Sequence, residues 1–162
     1  LAYMSLAGEG GEGVIAVVSA NGGTPTTIPF DGYASNPVWS PKGQALAFAG
    51  HDPAGFDIYV QRARGEPPVK LAADPSWETN PVWSPDGTHL AFTSNKNGNA
   101  DIAVVPATGG EVRFVTNTPA DEFAFQWMPD GKSFVLASSN PHGQLASLNV
   151  SGLLKRSGEK ED

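Results

Sequence analysis

A tryptophan recurs three times along the chain at a constant spacing of 44 residues, at positions 39, 83 and 127. Each tryptophan lies in a closely related stretch that ends in a turn, at residues 36–43, 80–87 and 124–131. A period a little above forty residues is too long for a leucine-rich repeat, and it matches one four-stranded β-propeller blade. The repeat therefore predicts a series of similar small β-sheets.

The rest of each repeat follows the same order. In the second repeat, short apolar runs occupy residues 90–92, 102–104 and 112–115, and each run is bounded by Gly, Pro, Asn or Asp. Short runs between such residues are typical of strands and turns, whereas a helix needs sustained spacings of three and four. The pattern predicts an all-β chain of four-stranded antiparallel blades with little helix.

Large and small side chains alternate within these runs. Leu90 and Phe92 face one side of the strand, and Ala91 and Thr93 face the other, because successive strand residues point in opposite directions. A sheet with one solvated face would carry charged groups at alternate positions. Small apolar residues there indicate sheets covered on both faces, as stacked blades are.

Alignment of the repeats divides the chain into blades. Residues 1–30 are predicted to form a partial blade with strands two to four, and full blades follow at 31–73, 74–117 and 118–157, before a polar tail at 158–162. The chain then holds about three and three-quarter blades, which we expect to belong to a ring of about six to eight blades. A closed four-bladed ring and a ring completed by a second chain are the alternatives. Open blade faces would favour self-association.

Composition narrows the possible partners. The 162 residues include 19 Gly, 14 Pro and no Cys, and the formal net charge is −7. Without cysteine there are no disulfides and no thiolate metal sites. Scattered basic residues argue against nucleic-acid binding, and no apolar run approaches the length that spans a bilayer. A protein, peptide or small molecule is the expected partner.

The sequence contains no recognisable catalytic arrangement and predicts no cofactor. The serines of the repeats lie in Trp-Ser-Pro turns and not in the Gly-x-Ser-x-Gly elbow of a hydrolase. The glycine-rich residues 8–13 lack the lysine and the following helix of a phosphate-binding loop. We therefore expect this segment to be non-enzymatic.

Metal binding is also not expected. His51 and His142 fall in equivalent loops, but a whole blade separates them, and a metal site needs three or four convergent ligands. Asp57 and Asp101 each precede a third strand. One carboxylate per loop cannot supply the six to eight oxygens that calcium prefers, so we expect both to bond backbone amides of their own loops.

Loops at one mouth of the channel are the predicted binding surface. Tyr33, Trp77 and Asp121 occupy the same repeat position, six residues before each periodic tryptophan. Aromatic and acidic side chains on loops suit recognition of a partner with basic or apolar groups. The alternative is that Tyr33 and Trp77 merely cover the end of their own blade. The predicted partner-binding residues are Tyr33, Trp77, Glu78, Asp121 and Glu122.

The repeat resembles that of TolB-type propellers. The resemblance is carried by Pro-x-Trp-Ser-Pro-Asp-Gly, then Leu-Ala-Phe-x-Ser, then Asn-Gly-Asn-x-Asp-Ile, clearest at residues 80–105, and it covers nearly the whole chain. The third repeat departs from it, with Met128 in place of serine and no aspartate before its third strand. Similar blades occur in TolB, a periplasmic protein that binds the lipoprotein Pal and the Tol envelope proteins. The resemblance therefore implies a binding scaffold for a protein or peptide, in the periplasm or outside the cell.

The resemblance leaves other functions open. Similar blades form the non-catalytic propellers of prolyl-oligopeptidase-like and tricorn-type serine peptidases, which gate substrate access, and they also occur in oligogalacturonate lyase. The lyase would need histidines that converge in the channel, for which only His51 and His142 are candidates. The scaffold is the favoured function and the peptidase propeller is the main alternative.

Overall fold

The structure, a computed structural model, describes residues 1–6, 13–72, 75–139, 145–152 and 154. These residues form fourteen strands and no helix. The strands are β1 (Ala2–Leu6), β2 (Gly13–Val17), β3 (Thr26–Thr27), β4 (Tyr33–Trp39), β5 (Leu46–Asp52), β6 (Gly55–Gln61), β7 (Val69–Ala72), β8 (Glu78–Trp83), β9 (His89–Ser94), β10 (Asp101–Pro106), β11 (Arg113–Phe114), β12 (Glu122–Trp127), β13 (Ser133–Ser138) and β14 (Leu145–Asn149).

The strands form four antiparallel sheets that follow one another along the chain. The first sheet is β1-β2-β3, the second β4-β5-β6-β7, the third β8-β9-β10-β11 and the fourth β12-β13-β14. The all-β prediction is confirmed, whereas the division of the chain into blades, with strands two to four in the first, stays a prediction. The predicted fourth strand of the last sheet, near Leu153, lies outside the described residues. Within the described part of the chain, no helix is long and apolar enough to cross a membrane.

The turn between the first and second strands of a blade has the same backbone in all three repeats. Gly43, Gly87 and Gly131 have positive φ angles of 66°, 74° and 64°. Each donates its amide hydrogen to a carbonyl oxygen three residues earlier, at 2.7, 2.9 and 2.9 Å. Because the acceptor is a backbone oxygen, the turn tolerates Met128 in place of serine.

A β-bulge interrupts the first strand of each of the last three sheets. The register shifts between Ser35 and Val38 in β4 and between Thr79 and Val82 in β8, with an equivalent shift in β12. Asn36 and Asn80 sit in the first two bulges with φ angles of 52° and 54°, a left-handed conformation that asparagine tolerates better than most residues. The bulge bends the strand just before the periodic tryptophan.

The core is made of layers between successive sheets. Leu90 and Phe92 of the third sheet pack with Ala47, Ile58 and Val60 of the second sheet. On the opposite face of the third sheet, small Ala91 packs in the layer that contains the large residues of the fourth sheet. The predicted alternation of large and small residues is confirmed, and both faces of the third sheet are covered.

Two of the periodic tryptophans tie neighbouring sheets together. Trp83 Nε1 donates a hydrogen bond to the Val38 carbonyl at 3.1 Å, and Trp127 Nε1 donates to the Val82 carbonyl at 3.3 Å. Both acceptors lie on the first strand of the preceding sheet. Packing between blades is therefore confirmed for Trp83 and Trp127. Trp39 is 38% exposed, because the three described strands of the first sheet include none in the position of β4 and β8.

Candidate partner-binding surface

The loop of residues 95–100, between β9 and β10, is held at both ends by the segments that open the third and fourth sheets. Trp77 N donates to Asn95 Oδ1 at 2.7 Å, and Asn95 N donates to the Trp77 carbonyl at 3.2 Å. At the other end, Ala100 N donates to Asp121 Oδ1 at 2.9 Å. Trp77 and Asp121 therefore fix the same loop from opposite sides.

Four ring side chains form a continuous surface at this end of the sheets, which we call the aromatic rim: Tyr33, His51, Phe56 and Trp77. The Phe56 ring lies 6.2 Å from that of Tyr33, 4.7 Å from that of His51 and 5.5 Å from that of Trp77, measured between ring centroids. Trp77 is 62% exposed and His51 is also exposed. Phe56 thus joins residues that come from two different sheets.

Phe56 was missed by the sequence reasoning, which compared residues only at equivalent repeat positions. Tyr33 lies opposite His51 across β4 and β5, and His51 lies opposite Phe56 across β5 and β6. This register brings the three side chains together on one face of the second sheet. An aromatic residue five positions after His51, beyond a short turn, was the available signal.

The five predicted residues occupy different environments. Tyr33 is half-buried, and Trp77 and Asp121 are exposed. Glu78 and Glu122 are 1% and 3% exposed, so their carboxylates do not belong to the exposed rim. Each is the first residue of its strand.

Asp57 does not bond amides of its own loop, and that prediction was wrong. Its Oδ2 accepts from Lys70 Nζ at 2.7 Å, while Lys70 Nζ also contacts Asp52 Oδ2 at 2.8 Å. The Tyr59 hydroxyl donates to the same Asp52 oxygen at 2.8 Å. Two carboxylates thus share one ammonium group beneath the hairpin that carries Phe56.

The contacts in this charge cluster shift the pKa values of Asp52, Tyr59 and Lys70. Hydrogen bonds from Lys70 and Tyr59 hold the pKa of Asp52 well below its usual range. Burial, with a smaller effect from Asp52, raises the pKa of Tyr59 to about 12. Burial alone would lower the pKa of Lys70, but its hydrogen bonds to Asp52 and Asp57 outweigh this and raise it. Asp52 and Lys70 therefore keep their charges over a wide range of pH.

Asp101 is buried and binds partners outside its own loop backbone. Asp101 Oδ1 accepts from Thr116 Oγ1 at 3.2 Å and from the Thr118 amide at 3.4 Å, and Oδ2 accepts from Asn97 Nδ2 at 3.1 Å. Only Asn97 belongs to the preceding loop, and it uses its side chain. The prediction that Asp101 accepts from backbone amides of its own loop was also wrong, because the amide that donates to it, that of Thr118, belongs to the linker after β11.

Among the described residues, no three His, Cys, Asp or Glu side chains come close enough to hold a metal ion. His51 belongs to the aromatic rim, where its ring packs on Phe56. His142, the other residue of the histidine pair considered above, lies outside the described residues.

Successive antiparallel sheets that pack on one another and tryptophans that bridge neighbouring sheets define the chain as part of a β-propeller. The family model described as "TolB beta propeller domain" matches residues 1–156. The chain belongs to the TolB β-propeller domain family.

Solved structures give the same fold. A TolB-designated protein from Agrobacterium tumefaciens is 26% identical with a TM-score of 0.76, over 85% of this chain and 49% of that chain. TolB from Acinetobacter baumannii is 22% identical with a TM-score of 0.65, over 85% of this chain and 37% of that chain. The tricorn protease is 14% identical with a TM-score of 0.62, over 78% of this chain and 13% of that chain. No curated protein sequence matches. The chain thus spans at most about half the length of these proteins.

Proposed function

We propose that this propeller segment is a non-enzymatic scaffold that binds a protein or peptide through the aromatic rim. The observation that carries the proposal is Trp77, which is 62% exposed although its ring packs on Phe56 and its backbone is fixed by Asn95. A large apolar side chain held rigidly in water has no role in the core of its own sheet. Tryptophan and tyrosine are also the side chains that most often dominate binding energy at interfaces.

The aromatic rim is suited to binding because few of its residues must become ordered when a partner binds. Hydrogen bonds at both ends fix the loop that supports Trp77, and the hairpin that carries Phe56 is closed by the Asp52 carboxylate, which accepts from the Ala54 amide at 2.8 Å. A rigid surface loses less conformational entropy when a partner binds. The net charge of −7 favours a partner with basic groups beside apolar ones.

Family membership supports the same proposal. TolB propellers provide the two solved relatives with the widest coverage of this chain among those described above. We extend from this to a periplasmic or extracellular location. The likeness to the tricorn protease, at 14% identity, concerns the fold alone and does not favour a peptidase role.

Selection of phage-displayed random peptides on the immobilised protein would test the rim. We expect enriched peptides to carry Lys or Arg next to apolar residues, and we expect Trp77→Ala to weaken their binding by about tenfold or more, because an interface tryptophan commonly contributes over 1 kcal/mol. Binding is measured with synthetic peptides by fluorescence anisotropy.

Trp39→Ala is the matched control, since Trp39 is also exposed but lies at the turn end of β4, away from the rim. It should leave peptide binding unchanged. Equal losses in the two variants, or full binding by Trp77→Ala, would remove the rim as the binding surface.

A further inference from the structure

A groove of about 640 Å³ runs between the third and fourth sheets, beside the linker of residues 115–120. Its walls combine two kinds of side chain. Thr118, Ser138 and Glu122 supply polar atoms, while Leu136 and Leu148 supply an apolar wall. This groove is separate from the aromatic rim, which lies on the second and third sheets.

Glu122 is the unusual residue of the groove. It is 3% exposed, and its Oε1 accepts from Thr118 Oγ1 at 2.7 Å and from Ser138 Oγ at 3.3 Å. Its Oε2 is buried and has no hydrogen-bond partner among the described residues. A buried carboxylate oxygen without a donor is unfavourable, so the groove lacks one hydrogen-bond donor, preferably a charged one.

The surroundings define which donor fits. Because Thr118 and Ser138 already occupy Oε1, only one oxygen is left, whereas a guanidinium group binds best to both oxygens of a carboxylate. Calcium would need six to eight oxygens, and the groove offers one carboxylate. An ammonium group is a compact point charge that one oxygen and nearby hydroxyls can satisfy, and an alkyl chain behind it would lie along Leu136 and Leu148.

We propose that this groove binds a primary ammonium group at the end of an alkyl chain, such as the side chain of a lysine in a peptide. Glu122 Oε2 accepts from the ammonium group, and the apolar wall contacts the methylene groups. The inference does not depend on the function proposed for the aromatic rim, since it concerns different residues and is tested with a small amine that has no aromatic ring. Either proposal can fail while the other stands.

The test compares two small probes on the unmodified protein at pH 7. Nα-acetyl-lysine methylamide carries the ammonium group, and Nα-acetyl-norleucine methylamide has nearly the same alkyl chain without the charge. Titrations followed by ¹H–¹⁵N NMR should show the lysine compound binding roughly tenfold tighter or more, with shifted amide signals at residues 116–122 and 136–138. Equal binding of the two probes, or binding of neither, would overturn the proposal.

Two variants test whether the lysine compound binds at Glu122. Glu122→Gln keeps the shape of the side chain but removes its charge, and it should lose about tenfold or more of the affinity for the lysine compound. Glu66→Gln changes an exposed glutamate on the second sheet's loop and should bind as the unmodified protein does. Undiminished affinity in Glu122→Gln also contradicts the proposal. Should that variant not fold by circular dichroism, the comparison of probes on the unmodified protein decides alone.

Discussion

The side chains around Lys70 show how far a single buried charge depends on its neighbours. Asp57 is 1% exposed, and it is tolerated there because Lys70 reaches it from the adjacent strand β7. The sequence analysis placed Asp57 just ahead of the third strand, but it lies inside β6, and the repeat pattern offered no means of choosing its partner. Lys70 meets both Asp52 and Asp57 only through the register of β5, β6 and β7, which includes a shift between Ile58 and Tyr59.

Tyr59 should remain protonated well above the pH at which an ordinary tyrosine ionises. Burial and the hydrogen bond to Asp52 raise its pKa from 10.0 to about 12. A folded-state pKa above the unfolded value gives stability that is complete below pH 10 and is lost as the pH rises towards 12. We expect the phenolate absorbance at 295 nm, recorded from pH 8 to pH 11, to be the same for Tyr59→Phe and the unmodified protein.

Circular dichroism at each pH must show that both proteins stay folded, since an unfolded chain would ionise all its tyrosines normally. A smaller absorbance change in the Tyr59→Phe variant over this range would mean that Tyr59 ionises near its usual pKa. The inference that burial and the hydrogen bond to Asp52 together keep the Tyr59 hydroxyl protonated would then be wrong.

Position along the repeat singled out Tyr33 and Trp77, whose role in binding stays a prediction, but it did not predict how deeply their neighbours are buried. The repeat alignment placed Glu78 and Glu122 next to exposed loop residues, yet both are buried. Successive side chains point in opposite directions where a strand begins, so the exposed Trp77 is followed directly by the buried Glu78. The residue at which a strand begins decides whether a side chain there is exposed or buried. Short apolar runs in the sequence do not define that residue well.

The positions of the strands were largely predictable, because the 44-residue repeat and the alternation of large and small side chains indicate strands at the same places. The runs at 90–92 and 102–104 lie within β9 and β10. The outermost strands were predicted less well: the apolar run 112–115 yields only Arg113–Phe114 in β11. An edge strand pairs on one side only, so fewer of its residues are held in the ladder.

The hydrogen bond from a periodic tryptophan to the preceding sheet should contribute measurably to stability. Trp83→Phe removes the donor to the Val38 carbonyl and reduces the buried side-chain volume, so we expect it to lower the free energy of unfolding by about 1 to 2 kcal/mol. Urea denaturation followed by circular dichroism measures the change without relying on tryptophan fluorescence.

Trp39→Phe is the internal comparison, because Trp39 occupies the same repeat position at 38% exposure. Its cost should stay within roughly 0.5 kcal/mol, as for other surface substitutions. If both variants lose the same stability, the bond between sheets contributes nothing beyond the local packing of the strand.

The four sheets form a linear series in which each core layer joins only adjacent sheets. One layer joins the first and second sheets through Ile15, Leu46 and Phe48, the next joins the second and third, and the last joins the third and fourth. Such a series behaves like a repeat protein, whose stability is the sum of unit and nearest-neighbour terms. Association through uncovered outer faces stays a prediction.

A substitution in one layer should therefore loosen the sheets beside it and leave the distant ones unchanged. Phe134→Ala opens a cavity between the third and fourth sheets at a cost of roughly 3 to 5 kcal/mol. Hydrogen exchange measured by mass spectrometry should show reduced protection in β13 and β9 but not in β2. Leu46→Ala, in the layer between the first and second sheets, should give the opposite pattern. A uniform loss of protection across all four sheets in both variants would show that the chain opens as one cooperative unit, and the nearest-neighbour description would be wrong.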